Sequence, residues 1–172
     1  MGCQLVLVID ASLWIDLEKA ALLDEAFRLP VRWAAPDMVV DELAQPPAEE
    51  VLARGLQSVE LSGKQIQEVR VLREKYRAPG TEDLSALVLA KSLGTTLLTG
   101  NRHLREAAEA EGVSVHGTLW LLDELIDQDI IDEQGAAQAL EAMLAEGSRL
   151  PPDECERRLR QWKRRQTRNR GT

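Results

Sequence analysis

The sequence predicts an α/β fold in which helices sandwich a mainly parallel central sheet, followed by a helical extension at the carboxyl end. Three observations lead there. Short aliphatic runs without polar alternation recur along the first two thirds of the chain, the pattern of strands buried on both faces. Amphipathic segments of helical period separate them, so parallel neighbours joined by crossover helices are favoured. After Gly117 every apolar pattern is helical.

Residues 4–9 form the first expected strand, with Leu5 to Ile9 uninterrupted and Asp10 closing the run. Ser12 is a suitable N-cap for a helix that buries Leu13, Leu17, Ala20, Ala21 and Leu22 and reaches about Phe27. Pro30 and the run Val31 to Ala35 give a second strand. Pro36 and Asp37 then open a helix containing Val39, Val40, Glu42 and Leu43, which Pro46-Pro47 ends. A short helix from Ala48 to Arg54 leads through Gly55 to a strand over Gln57 to Leu61. Ser62 caps a polar helix bearing Ile66, Val69, Val71 and Leu72, placed across the outside of the domain.

The segment from Pro79 to Leu104 is the most ordered in pattern. Thr81 or a neighbour caps a helix with Leu84, Leu87, Val88 and Leu93, Gly94 closes it, and Thr95 to Thr99 is a strand. Gly100-Asn101 turns into a helix that stops near Gly112, and Val113 to Val115 is a last short strand. Beyond it, Leu119 to Ile126, Glu133 to Ala145 and Pro151 onward read as helices. The division that follows is 1–118 for the sheet domain and 119–172 for the extension.

Composition narrows the function. At 172 residues and 44% apolar content the chain buries one core, and its net charge of −8 argues against a surface that grips nucleic acid everywhere. Positive charge is local: Arg157, Arg158, Arg160, Lys163, Arg164, Arg165, Arg168 and Arg170 crowd the end, as an RNA-binding arm or a solvated tail. Cys3 and Cys155 lack metal-ligand spacing and read as reduced thiols of a cytoplasmic protein. No secretion signal or membrane-spanning segment is expected. Trp14, Trp33, Trp120 and Trp162 read as packing residues.

Four polar residues follow strands or open helices in similar settings: Asp10, Glu42, Asp83 and Asn101. Each has an ordinary structural explanation. Asp10 can cap the first helix, Glu42 can be a surface acid, Asp83 sits where a helix dipole favours negative charge, and Asn101 suits a turn. Brought together at the carboxyl edge of a parallel sheet, they form a hard-oxygen set suited to Mg²⁺ or Mn²⁺, and phosphodiester hydrolysis is the natural chemistry. Zinc does not fit, since His103 and His116 stand alone. A phosphatase with an aspartyl nucleophile lacks its second acid after Asp10-Ala11-Ser12, and no glycine-rich phosphate loop follows the first strand.

With those residues placed, the chain resembles the PIN-domain family of metal-dependent nucleases, which includes VapC-like toxins. The resemblance lies in Val8-Ile9-Asp10-Ala11-Ser12, in Pro36 to Leu43, in Glu82 to Lys91 and in Leu97 to Leu104, and it covers residues 4–118. It implies a three-layer sandwich and a ribonuclease, with Asp10, Glu42 and Asp83 as metal ligands and Ser12 and Thr99 as polar supports. RNA as substrate, an antitoxin partner and a homodimer are implied likewise. The position after Thr99-Gly100 is usually Asp in the family and is Asn101 here, which removes a charge and a base. That departure keeps open a catalytically weakened binding module for RNA or protein. Lys91, Arg102 and Arg105 are the candidate phosphate contacts.

Overall fold

The computed structural model describes residues 4–169 and 171. Its centre is a five-stranded sheet in the order β3-β2-β1-β4-β5, and every pairing is parallel. The strands are β1 (Leu5–Ile9), β2 (Val31–Pro36), β3 (Gln57–Val59), β4 (Leu97–Leu98) and β5 (Val115–His116). The expected α/β sandwich with a C-terminal helical part is therefore present.

Order in the sheet fixes where a site can form. The chain runs outward from β1 through β2 to β3, then returns across the sheet to β4 and β5 on the other side of β1. Right-handed crossovers place the connections of the two halves on opposite faces. The first half is connected by α1 (Ala11–Lys19), α2 (Leu23–Phe27), α3 (Asp37–Glu42) and α4 (Ala48–Arg54). The return is made by α5 (Gly63–Lys75) and α6 (Thr81–Leu93), and α7 (Arg102–Ala110) joins β4 to β5. Between the ends of β1 and β4 the topology switches direction, which opens a crevice at the carboxyl edge.

Several elements differ from expectation for local reasons. The first helix ends at Lys19, because Ala21 takes a left-handed φ of 54° and α2 restarts at Leu23. Its cap is Asp10, whose side chain accepts from the Ser12 amide, so the expected capping residue is instead a donor to the cap. The strand expected at Val113 lies at Val115–His116, since the Val113 amide still donates to Ala108 at the end of α7. The cap of α6 is Gly80, the neighbour of Thr81, within what the sequence predicts.

The last three helices are α8 (Thr118–Asp127), α9 (Glu133–Ala145) and α10 (Pro152–Asn169). α9 packs on α1, and α10 packs on α8 and α9. Their buried residues Leu121, Leu125, Leu140, Met143, Cys155 and Trp162 join the same apolar core as Leu7, Val8 and Leu87. Asp16 fastens this layer: its carboxylate accepts from Thr118 Oγ1 at 2.8 Å and from Ser148 Oγ at 2.5 Å. No helix among the described residues is long and apolar enough to cross a membrane. Cys3 and Arg170 lie outside the described residues.

Candidate active site

Asp10 leaves the end of β1 directly into the crevice. Its backbone amide donates to the Leu98 carbonyl of β4 at 3.0 Å, and its side chain is 3% exposed. Oδ1 accepts from the Ser12 amide at 2.6 Å and from Ser12 Oγ at 2.5 Å, while Oδ2 accepts from the Thr99 hydroxyl at the end of β4. Those hydroxyls stabilise the carboxylate, but burial outweighs them. Desolvation, with a smaller contribution from the nearby charge of Asp83, pushes the Asp10 carboxyl up to about 6.

Asp83 lies in the first turn of α6. Its Oδ2 accepts from the Gly80 amide at 2.8 Å and from Asn101 Nδ2 at 3.1 Å. Burial again raises its pKa, and the neighbouring Glu82 adds to the shift. Glu42, at the end of α3, is exposed and meets α6, which packs against α3. The charge of Glu82 raises the Glu42 carboxyl first, followed by desolvation and by Asp83. Asp83 thus links Asp10 on one side with Glu42 on the other. No group of three or more His, Cys, Asp or Glu side chains among the described residues stands close enough to hold a metal ion as placed.

Asn101 is oriented by the helix it opens. Its Oδ1 accepts from the amides of His103 at 3.0 Å and Leu104 at 3.4 Å, so the carbonyl faces the first turn of α7. What it turns toward Asp83 is a donor, the Nδ2 amide. Thr99 and Ser12 also tie the loop down: Thr99 Oγ1 accepts from the Asn101 amide at 3.0 Å, and Ser12 Oγ accepts from the Gly100 amide at 2.8 Å. A methyl group on Gly100 would come within 3.3 Å of Ser12 Oγ.

Three of these residues also have the structural roles that the sequence allows. Asp10 is the N-cap of α1, Asp83 in the first turn of α6 accepts from the amide of its N-cap Gly80, and Asn101 is the N-cap of α7. Three helix N-termini therefore converge on one edge, and their positive ends favour the negative charge gathered there.

The basic candidates separate. Lys91, two turns beyond Asp83 on α6, pairs with Glu68 at 2.9 Å and Glu111 at 3.4 Å, and the structure does not bring it to the acids. Arg102 is exposed and pairs with Glu106 at 2.9 Å. Arg105 is half-buried beside Thr99, with Nη2 donating to the Thr99 carbonyl at 3.5 Å. Sequence reasoning passed over Glu82, although two adjacent acids in a first helical turn are a visible signal. It also passed over Asp16, the polar residue that interrupts the buried face of α1 formed by Leu13, Trp14 and Leu17.

Comparison with known proteins agrees with this architecture. Among solved structures, the crystal structure of PAE2754 from Pyrobaculum aerophilum is similar, with a TM-score of 0.55 and 19% identity over 73% of this chain and 99% of that one. At that identity the likeness concerns the fold. No curated protein matches the chain significantly. A family model described as "DUF3368: PIN domain" matches residues 6–164, which include the sheet, the acidic edge and most of α10. The chain therefore belongs to the PIN-domain family.

Proposed function

We propose that this protein is a metal-dependent ribonuclease that hydrolyses RNA phosphodiester bonds, with Asp10, Glu42 and Asp83 holding Mg²⁺ or Mn²⁺. The observation that carries the proposal is Asp10: a carboxyl group buried at the switch point of a parallel sheet, pushed up to about 6, and coupled to a second acid. An acid so placed is uncomfortable when ionised and alone, and a divalent cation relieves both the desolvation and the repulsion. The donor set fits such an ion in kind, being carboxylate oxygens with no thiol or imidazole among them. When bound, the ion neutralises charge on a scissile phosphate and promotes deprotonation of water.

The chain's own groups define the remaining roles. Ser12 and Thr99 fix the rotamer of Asp10 through one oxygen each. Asn101 holds Asp83 through Nδ2 and has no proton-accepting carboxylate, so proton removal does not fall to it. Glu82 adds charge opposite Glu42. We assign residues 1–118 as the nuclease domain and 119–172 as an extension that covers α1. An antitoxin, a homodimer, toxin activity and a cytoplasmic location belong to the same proposal. Cleavage of single-stranded RNA with Mg²⁺ or Mn²⁺ tests it. The Asp10→Asn variant should lose roughly a hundredfold or more in rate, and an equal rate in that variant would remove the proposal.

One observation supports a second reading, a weakened module that binds RNA or protein without turnover. The Asn101 carbonyl is engaged in capping α7, so the position contributes a donor where the family usually has an acid. Metal-induced stabilisation without cleavage, with cleavage appearing in Asn101→Asp, would favour this reading.

A further inference from the structure

A second group of side chains lies one residue away from the acids, on the far side of Thr99. Strand β5 ends at His116, whose imidazole lies flat on the Trp120 indole, ring centres 4.6 Å apart and planes 6° apart. Both residues are half-buried, and Trp120 rests on the apolar core. Between them in sequence is Gly117, against whose backbone the Arg105 guanidinium is laid. A methyl group at Gly117 would sit 2.5 Å from Arg105 Nη2, so the absence of a side chain there makes room for the cation.

Arg105 is a half-buried cation without an acidic partner among the described residues. Arg54, Arg102, Arg157, Arg158, Arg160 and Arg165 have a carboxylate within salt-bridge distance, and others without one, such as Arg28, Arg70 and Arg164, are exposed. Arg105 has none among the described residues and bonds only to the Thr99 carbonyl. The same Thr99 donates its hydroxyl to Asp10. A flat aromatic pair and an uncompensated cation thus share a residue with the acidic cluster.

We propose that His116, Trp120 and Arg105 form a subsite for one unpaired nucleobase of single-stranded RNA and its adjoining phosphate, directly flanking the acids. The assignment rests on the nuclease reading of those acids for its substrate class, but its geometry is independent of them. Aromatic faces accept any base by stacking, and arginine adds charge to the phosphate and a cation to the π system. Bases within a duplex are already stacked and do not reach such a surface, so the subsite selects for single strands. Burial and the Arg105 charge lower the His116 pKa, which favours a neutral ring beside the guanidinium.

The four tryptophans supply the measurement. Trp14 and Trp162 are 0% exposed and Trp33 is 2% exposed, so a base arriving at the surface quenches chiefly Trp120. Titration of the full chain with decauridylate, with calcium present as a hard cation, should give saturable quenching that disappears in Trp120→Phe. His116→Ala, and Gly117→Ala, which displaces the flexible end of Arg105, should each raise the half-saturation concentration roughly tenfold. Inorganic polyphosphate, which lacks bases, should leave the emission unchanged. Equal half-saturation in His116→Ala and Gly117→Ala, or equal quenching by polyphosphate, would overturn the subsite. Quenching that persists where Mg²⁺ and Mn²⁺ support no cleavage upholds the subsite and removes the nuclease reading. Cleavage at an unaltered rate in His116→Ala, with no quenching, does the reverse.

Discussion

A buried carboxylate with a raised pKa makes the metal-free protein sensitive to pH in a direction opposite to that of most acids. Burial pushes the folded Asp10 carboxyl up to about 6 from the ordinary 3.8 that it has in the unfolded chain, so between those points the folded state binds the extra proton. Stability from this group is therefore greatest below pH 4, falls as pH rises to 6, and is level above. The difference corresponds to about 3 kcal/mol. Urea unfolding of metal-free protein at pH 4.5 and 7.5 should show the wild type losing stability relative to Asp10→Asn as pH rises. A constant difference would mean that Asp10 is not strained by burial. Glu111 acts with the opposite sign, because its bonds to Lys75, Tyr76 and Lys91 hold its carboxyl near 2. Its contribution is present above pH 4.5 and is lost as pH falls toward 2, outside the window in which Asp10 is tested. Asn101→Asp belongs to this scale too. It removes the amide that donates to Asp83 and adds a further carboxylate beside it, so metal-free protein should lose about 1–3 kcal/mol, measured by the same unfolding experiment.

Helices and strands show which parts of the design a linear sequence reveals. β1 was legible because five aliphatic residues in a row are stable only when covered on both faces, and Leu7, Val8 and Ile9 are indeed buried. The two-residue strands β4 and β5 were legible only approximately, since their bounds depend on where the neighbouring helix releases the backbone. The interruption between α1 and α2 carries no glycine or proline and arises from Ala21, so no local signal marks it. In the site, Asp10, Asp83 and Asn101 were visible because each opens a helix after a strand or turn. The approach of Glu82 to Glu42 was not, because it depends on α3 packing against α6. Lys91 looked available until the tertiary fold supplied Glu68 and Glu111 as partners. The carboxyl-terminal elements offer a direct check on packing. Trp162 on α10 is fully buried, its indole N–H donates to Asp123 Oδ1 at 3.0 Å, and Arg158 bonds the other oxygen at 2.6 Å. Trp162→Ala should therefore destabilise by about 3–5 kcal/mol, read as a shift of the urea midpoint. An effect below 1 kcal/mol would show that α10 is not part of the cooperative core.

For the molecule as a whole, charge is segregated: a net −8 coexists with a carboxyl-terminal stretch rich in arginine, and the acidic edge places Asp10 and Asp83 at two helix N-termini, with Glu42 at the end of α3. Folding therefore holds together groups that repel, and a cation that binds only the folded arrangement should stabilise it by mass action. At a free concentration one hundred times the dissociation constant, that stabilisation is about 2.7 kcal/mol. For a chain of this size it corresponds to a rise in Tm of roughly 5–10 °C. Mg²⁺ and Mn²⁺ should each produce the rise, at concentrations set by their own affinities. Since the ion competes with the proton on Asp10, the midpoint of the titration should move to higher metal concentration as pH falls below 6, and stay constant above it. Thermal unfolding at pH 5 and pH 7.5 across a metal series checks both statements. In Asp10→Asn the rise should shrink and its pH dependence weaken, because one competing proton is gone while those of Asp83 and Glu42 remain. A Tm that is independent of divalent ions in the wild type, or a rise that is undiminished in Asp10→Asn, would place the cation-binding group elsewhere in the molecule.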